Sequence, residues 1–383
     1  MKQLLAPVLA LCLAACPALA APLEPVSSFD LQTPSYLLME ASTGQVILEQ
    51  NADETSPVAS VTKLMTLLLV LEALDAGTVS LTDSIVCSSN AAGMGGSQAL
   101  LDAGSAYPLE DLLKSTIVAS ANDSAVALAE HLAGTEANFV ERMNRRAAEL
   151  GLTQTVYQNC TGLPAEGQHT TARDVANLSR QIGRHPLYYQ YSTLWMDTLE
   201  HPGGRTTDLV NTNRLVRFFE GCDGYKTGST DEARYCISAT AQKDGMRLIA
   251  VLLGTPASQT RFNEARKLLE YGFSTYRLLP VCQAGDALGE EVSVARGSAD
   301  TVGAAAGAGM TLLIRRGEES SVSLQVALPE EVQAPVAKGD TLGELRVLKD
   351  GNLIATLPAT ASEDVGLPGY LEALLRILQA WRR

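Results

Sequence analysis

The sequence has few aromatic side chains and few histidines for its length. Of 383 residues, 5% are Phe, Trp or Tyr and four are His. The interior must therefore be built mainly from Leu, Val, Ile and Ala. The histidines show neither a His-Glu-x-x-His motif nor another close ligand spacing, which disfavours a metallopeptidase; they are His131, His169, His185 and His201. We expect neither a metal nor an organic cofactor.

Positive charge is also in deficit. Lys and Arg number 29 against 43 Asp and Glu, which gives a formal net charge of -14. This balance argues against a nucleic acid as a partner, because a phosphate backbone is bound by basic surfaces.

Paired cysteine spacings are missing as well. Beyond the first twenty residues an odd number of cysteines remains, none in a Cys-x-x-Cys motif, namely Cys87, Cys160, Cys222, Cys236 and Cys282. This pattern predicts buried thiols and neither a metal cluster nor a disulfide framework. One bridge, between Cys222 and Cys236, stays open because the two flank a motif described below.

The first twenty residues have the layout of a secretory signal. Lys2 precedes an apolar run over 4–15, and Ala18-Leu19-Ala20 forms a small-residue cleavage site. The run is too short to span a bilayer. An alternative is lipidation at Cys16, which follows Leu13-Ala14-Ala15. Either route predicts an exported protein, at the outer face of the cytoplasmic membrane or in the cell-wall space.

Periodicity predicts an α/β (α+β) domain over 21–278. A β-hairpin is expected over 35–49, followed by a long helix over 61–75 that Gly77 ends and that places Ser60 at its N-terminus. Further helices are expected at 109–119, 124–132, 136–150 with Thr135 as cap, 172–182 and 261–271, and strands at 224–227, 235–241 and 246–253.

After Pro280 the character changes to short strand-like runs separated by turn residues. They predict a small all-β domain over 285–362, with strands at 292–295, 311–315, 322–327, 342–348 and 352–355. The segment 367–383 predicts an amphipathic helix with a terminal basic pair. Two interpretations remain open: an anchor on an anionic membrane surface, or a helix docked on its own β domain.

Three short motifs follow one another along the first domain: Ser60-Val61-Thr62-Lys63, Ser120-Ala121-Asn122 and Lys226-Thr227-Gly228. Each alone is weak evidence, because a helix lysine or a turn explains it equally well. Ser60 and Lys63, however, project to the same side of a helix, so the amine can reach the hydroxyl and act as its base. Burial and a like charge from Lys226 would keep part of the Lys63 population neutral.

Together the motifs resemble the signature of the serine β-lactamases and penicillin-binding proteins. The segment 57–66, with the stretches at 120–130, 171–174 and 223–228, is similar in particular to the low-molecular-mass D-alanyl-D-alanine carboxypeptidases. The similarity extends over the mature chain, including Ala334 to Asp340 in the β domain. It implies a β-lactamase/transpeptidase-like fold, peptidoglycan stem peptides as substrate and β-lactams as covalent inhibitors.

The resemblance also implies roles for single residues. Ser60 would be the nucleophile, Ser120 would relay a proton to the leaving amine, and Asn122 would hold the substrate amide. Ser229, one residue past Lys226-Thr227-Gly228, would supply the second oxyanion N–H. A hydroxyl and a guanidinium should receive the terminal carboxylate, and these roles fall on Thr227 and Arg261; for Arg261 the alternative is an ordinary surface residue at a helix start.

Two positions depart from the family pattern. Ala121 stands where relatives more often have Gly, and Ser229 where they often have His. A methyl group near the substrate could reshape the pocket, and the loss of His could alter turnover or its pH profile. Neither change touches Ser60 or Lys63.

Other functions are less consistent with the motifs. A β-lactamase would need a glutamate to position water, and Glu166 lacks an asparagine four residues on. A non-catalytic wall-binding protein would not need every motif residue. A Ser-His-Asp triad is a further alternative, which the order of residues alone does not exclude. The sequence therefore predicts a serine-type D-Ala-D-Ala carboxypeptidase of cell-wall biogenesis.

Overall fold

The computed structural model describes residues 29–371 and Leu374. The chain divides into two compact units, with the boundary between Leu278 and Leu279. The predicted signal segment at 1–20, with Cys16, and most of the predicted helix at 367–383 lie outside the described residues. Within the described ranges, no helix combines the length and apolar character needed to cross a bilayer.

The first unit is built around a five-stranded antiparallel sheet in the order β2-β1-β9-β8-β7. The strands of this unit are β1 (Ser35–Glu40), β2 (Val46–Gln50), β3 (Ser84–Val86), β4 (Ala106–Pro108), β5 (Met196–Glu200), β6 (Thr206–Val210), β7 (Cys222–Thr230), β8 (Arg234–Lys243) and β9 (Met246–Thr255). Strand β10 (Tyr276–Cys282) leads on to the second unit. The pairs β3–β4 and β5–β6 form separate two-stranded sheets.

Helices cover the central sheet on both faces. The helices of this unit are α1 (Lys63–Asp75), α2 (Ser89–Ala92), α3 (Leu109–Val118), α4 (Asn122–Ala133), α5 (Glu136–Glu149), α6 (Ala172–Ile182), α7 (Pro186–Ser192), α8 (Leu215–Phe218) and α9 (Ser258–Thr275). On β9, Ile249 and Val251 point into the core shared with α1 and α6. The alternate residue Leu248 faces α9, where Gly272 permits close approach because an added Cβ would lie 2.4 Å from Leu248 Cδ1.

Helix α1 is apolar on nearly every side, which explains its central position. Leu64, Leu67, Leu68 and Val70 have no exposed surface. A helix that is hydrophobic all round is stable only when other elements surround it. Its burial fixes the Ser60–Lys63 segment at the centre of the unit.

The second unit is all-β. Its six-stranded sheet has the order β14-β16-β17-β12-β11-β15, and β10 pairs with β13. The strands are β11 (Ala287–Ala295), β12 (Thr301–Ala306), β13 (Met310–Arg315), β14 (Val322–Ala327), β15 (Glu331–Gln333), β16 (Thr341–Lys349) and β17 (Asn352–Ala361). The predicted fold class, a mixed α/β domain followed by an all-β domain, is confirmed.

Two sequence-based expectations need correction. Residues Ala59–Thr62 form a 3₁₀ turn and the α-helix begins at Lys63, so Ser60 does not start an α-helix. The Cys222–Cys236 bridge is also wrong, because both thiols are free. Cys236 pairs in register with Gly228, six residues along β7 from Cys222, which at about 3.3 Å per residue is far beyond disulfide reach.

Candidate active site

Ser60 and Lys63 are joined by a hydrogen bond at the start of α1. Lys63 Nζ lies 3.0 Å from Ser60 Oγ and donates to Thr161 O at 2.7 Å. Ala59 has φ +48°, and the segment approaches Gly162 so closely that an added Cβ there would lie 1.9 Å from Ala59 O. The turn therefore depends on glycine at position 162.

Burial allows Lys63 to act as a base. Its side chain is inaccessible to solvent, and burial lowers its pKa to about 7, while Asp123 acts in the opposite direction. A substantial fraction of the amine is then neutral near pH 7. A neutral amine 3.0 Å from a hydroxyl can accept its proton.

Lys226, on β7, is a second buried lysine beside the first. Burial lowers its pKa well below the usual range, and the positive charges of Lys63 and Arg261 add to this effect. Its Nζ donates to Thr227 O at 3.1 Å. The sequence predicts that burial and the charge of Lys226 together lower the pKa of Lys63. Burial is the principal cause for Lys63, and the repulsion between the two lysines lowers the pKa of Lys226.

Gly228 allows β7 to lie against the Ser60 turn. A Cβ at this position would be 2.6 Å from Val58 O and 2.9 Å from Ser60 N. Both contacts are with backbone atoms, so no rotamer change could relieve them. The following residue, Ser229, is exposed at the end of the same strand.

Thr227 lies in this strand, and Arg261 contacts the strand from helix α9. Thr227 Oγ1 donates to Thr212 Oγ1 at 2.8 Å. Arg261 is 7% exposed, its Nη1 donates to Gly228 O at 2.9 Å, and its buried Nε has no hydrogen-bond partner within the described chain. Burial lowers the Arg261 pKa to about 10. The interpretation of Arg261 as an ordinary surface residue is therefore wrong.

Ser120 and Asn122 lie in the connection from α3 to α4. Ser120 has φ +63°, a region that non-glycine residues rarely adopt, and it is 3% exposed. Ser120 Oγ and Asn122 Oδ1 are buried and lack a hydrogen-bond partner among the residues described. Buried polar atoms are nearly always paired, so these two are suited to a substrate. No hydrogen bond joins Ser120 to Ser60 or Lys63 in the described part of the chain.

The loop that holds Asn122 was not predicted. Asn122 Nδ2 donates to Gly95 O at 2.6 Å, and Asn122 N donates to Ser97 O at 2.7 Å. The fully buried Asp123 accepts hydrogen bonds from the N–H groups of residues 99 and 101, at 2.9 and 3.1 Å. The one available signal was an acidic residue directly after the motif, which by itself predicts nothing about residues 95–101.

The family-like stretch at 171–174 serves the scaffold. Thr171 caps α6 by accepting from Asp174 N at 3.1 Å, and Asp174 accepts from Thr155 Oγ1 at 2.7 Å. Arg173 forms ion pairs with Asp53 and Glu49.

In residues 29–371 and Leu374, no group of three or more His, Cys, Asp or Glu side chains is placed to hold a metal ion.

A serine hydrogen-bonded to a buried lysine at the start of an apolar helix, beside a Lys-Thr-Gly strand, defines a serine peptidase of the penicillin-binding type. Comparison with known sequences agrees: the D-alanyl-D-alanine carboxypeptidase family, Peptidase S11, matches residues 21–257, and the penicillin-binding protein 5 C-terminal domain matches 276–366. The chain belongs to the D-alanyl-D-alanine carboxypeptidase family.

Individual relatives cover nearly the whole chain. The D-alanyl-D-alanine carboxypeptidase DacF of Bacillus subtilis is 36% identical over 350 residues, which are 91% of this chain and 90% of the relative. DacC of Escherichia coli is 34% identical over 88% of this chain and 85% of the relative. The structure of penicillin-binding protein 5 from Haemophilus influenzae superposes with a TM-score of 0.78 at 32% identity, covering 89% of this chain and 99% of the other.

Proposed function

We propose that this protein removes the terminal D-alanine from peptidoglycan stem peptides through an acyl-enzyme on Ser60. The observation that carries the proposal is the 3.0 Å contact between Ser60 Oγ and the Nζ of the fully buried Lys63. A serine hydroxyl is a weak nucleophile at neutral pH and needs such a base. Family membership supports the reaction, and the penicillin-binding family acts on the cell wall and binds β-lactams.

Each step of the reaction uses a group at the site. Ser60 Oγ attacks the carbonyl carbon of the penultimate D-alanine while its proton passes to Lys63. The tetrahedral oxyanion is stabilised by the N–H groups of Ser60 and Ser229. The peptide bond then breaks, the leaving amine takes a proton through Ser120, and an ester remains on Ser60. Water hydrolyses this ester and regenerates the hydroxyl.

The remaining polar groups would orient the substrate. Asn122 Oδ1 has no partner within the described chain and would accept from a substrate amide. Thr227 Oγ1 and the Arg261 guanidinium would receive the terminal carboxylate, a geometry that favours arginine. Lys226, buried beside Lys63, would offer its amine as a hydrogen-bond donor to the oxygen atoms that become negative.

The decisive experiment compares D-alanine release from a synthetic peptide ending in D-Ala-D-Ala by the wild type, Ser60→Ala and Ser274→Ala. Ser274 is an exposed serine at the end of α9 and serves as the matched control. We expect release by the wild type and the control and none by Ser60→Ala. If the wild type binds penicillin covalently but releases no D-alanine, the substrate is wrong; if neither occurs, the non-catalytic interpretation holds. Sustained turnover of penicillin would favour a β-lactamase.

We also propose that the protein is exported and held at a membrane surface by residues 367–383. Leu367, Tyr370 and Leu371 are 63%, 84% and 73% exposed, and the segment ends in Arg382-Arg383. Apolar side chains with basic neighbours suit an anionic membrane interface. Deleting 367–383 should abolish co-sedimentation with anionic vesicles, whereas unchanged pelleting would reject the anchor.

N-terminal analysis of the exported protein would distinguish a start at Ala21 from a lipidated Cys16.

A further inference from the structure

A basic cavity lies in the first unit, outside the groups used above. Its volume is about 250 Å³, and it is lined by residues around α8 and along the first half of α9. The lining combines two arginines with amide and aromatic side chains: Arg214, Phe218, Gln259, Phe262, Asn263 and Arg266. No carboxylate contributes to it.

The two arginines of this cavity are not neutralised by the protein. Within the described ranges, neither has a carboxylate oxygen within 4.0 Å, and Arg214 makes no side-chain hydrogen bond. Arg266 uses Nη2 to donate to Phe218 O at 2.5 Å, which leaves its other N–H groups for a ligand. By contrast, Arg146, Arg173 and Arg247 are each paired with carboxylates. The two arginines give the cavity a local positive charge in a chain with 43 acidic and 29 basic residues. The cavity therefore favours an anionic ligand.

The cavity adjoins the groups proposed to receive the terminal carboxylate. Gln259, Phe262 and Arg266 lie on one face of α9, and the guanidinium carbon of Arg261 on the same helix lies 4.7 Å from the ring centroid of Phe262. Arg214 is close enough to Arg261 for its charge to add to the effect of burial in lowering the Arg261 pKa. Arg214 is also only two residues after Thr212 in the sequence, and Thr212 Oγ1 lies 2.8 Å from Thr227 Oγ1. The cavity is thus on the leaving-group side of the site.

A departing D-alanine ends in its carboxylate and one methyl group, so it has nothing to place in this cavity. A leaving residue with a long side chain that ends in a second carboxylate has a group to place in this cavity. Guanidinium groups bind carboxylates in planar, two-point geometry, and the two phenylalanines can cover the intervening methylenes.

We infer that Arg214 and Arg266 form a subsite for a second carboxylate on the leaving residue, which lets the enzyme cleave D-Ala–X bonds when X is an acidic D-residue. This inference rests on the proposed function, because it uses the same nucleophile and the same terminal-carboxylate groups.

The test uses N-acyl-D-Ala–X peptides in which X is D-glutamate, D-2-aminoadipate or D-2-aminopimelate, each beside its side-chain amide. We expect the wild type to cleave at least one acid with a kcat/KM at least about fivefold above its amide. Arg214→Gln and Arg266→Gln should bring that ratio to about one and leave D-Ala–D-Ala cleavage within about twofold. Arg217→Gln is the matched control, because Arg217 stacks on Trp195 and Phe218 without lining the cavity.

The inference would be overturned if, in the wild type, the ratio of kcat/KM for the acid to that for its amide were near one for all three residues X. So would a preference that survives in both variants, since another group would then receive the carboxylate. Penicillin labelling and D-Ala–D-Ala cleavage, measured on the same preparations, report the proposed function separately. Their loss in the wild type would refute that function, whereas their presence with a ratio near one refutes only the subsite.

Discussion

The two units of this chain differ in what they bury. The first unit buries ionisable side chains, among them Lys63, Lys226, Asp123, Arg261 and Glu264, each at most 7% exposed. In the second unit, as far as residue 371 and at Leu374, the buried side chains are apolar. Burying a charge is unfavourable unless partners compensate it. Burial of charged side chains is therefore concentrated in the unit where chemistry is proposed, and none is found in the described part of the unit that only builds a sheet.

The largest expected effect comes from removing the buried base. Lys63→Ala should lower acylation by penicillin by about a thousandfold or more, because no other group lies in hydrogen-bond reach of Ser60 Oγ among the residues described. Time-resolved labelling with a fluorescent penicillin measures this rate. Lys267→Ala, at an exposed position on α9, is the control. Near-normal labelling of Lys63→Ala would remove Lys63 from its proposed role.

The next largest effect, a loss of kcat/KM, is expected from a substitution at Gly228, where β7 lies close to the nucleophile. In Gly228→Ala the new methyl group would meet Val58 O at 2.6 Å and Ser60 N at 2.9 Å. The strand and the Ser60 turn must then separate, and a displacement of this size lowers kcat/KM by about a hundredfold. Gly309→Ala in the second unit meets only ordinary contacts at 3.5 Å and should leave activity unchanged. Full activity of Gly228→Ala would show that the contact does not position the site.

A pair of aspartates compares the two units directly. Asp123 is fully buried and accepts from two backbone N–H groups of the 95–101 loop, whereas Asp340 is exposed and accepts from Ala337 N at 2.8 Å. Asp123→Ala leaves buried donors without partners and should lower the unfolding free energy of the first unit by about 2 kcal/mol. Asp340→Ala should lower that of the second unit by less than about 1 kcal/mol.

Hydrogen exchange followed by mass spectrometry measures each unit separately in increasing urea. The two units need not unfold together, so a single transition for the whole chain would mix them. Equal losses for the two variants would contradict the contrast between polar burial in the first unit and its absence in the second.

The smallest effect, taken over a single pH unit, is a pH dependence of acylation. Because burial lowers the Lys63 pKa to about 7, the amine is protonated below that pH and cannot accept the serine proton. Acylation should therefore fall about tenfold for each pH unit below 7 and level off above it. Lys226 is coupled to Lys63, so the apparent pKa belongs to the pair. The second-order rate of penicillin acylation between pH 5 and 9 tests this, and a rate that still rises steeply above pH 9 would contradict it.

Much of the fold followed from local pattern. The helix expected at 172–182 is found as Ala172–Ile182, and the strand expected at 322–327 as Val322–Ala327. Helix α7 and the β5–β6 hairpin were not predicted. The region 186–210 is rich in tyrosine, threonine and exposed polar residues, and each of its two strands buries a single side chain, Leu199 or Leu209. Such segments take their structure from tertiary neighbours and carry a weak periodic signal.

The sequence by itself determined the order of motifs, the family, the apolar helix behind Ser60 and the division into an α/β and an all-β part, because these depend on short-range pattern. The tertiary structure decided the rest. The lowered pKa of Lys63 requires complete burial, the approach of Gly228 to Ser60 joins segments 168 residues apart in number, and the Arg214–Arg266 cavity joins two helices distant in sequence. Solvation and close contact between distant segments exist only once the chain has folded, and they control both the charge of a buried amine and the shape of a binding site.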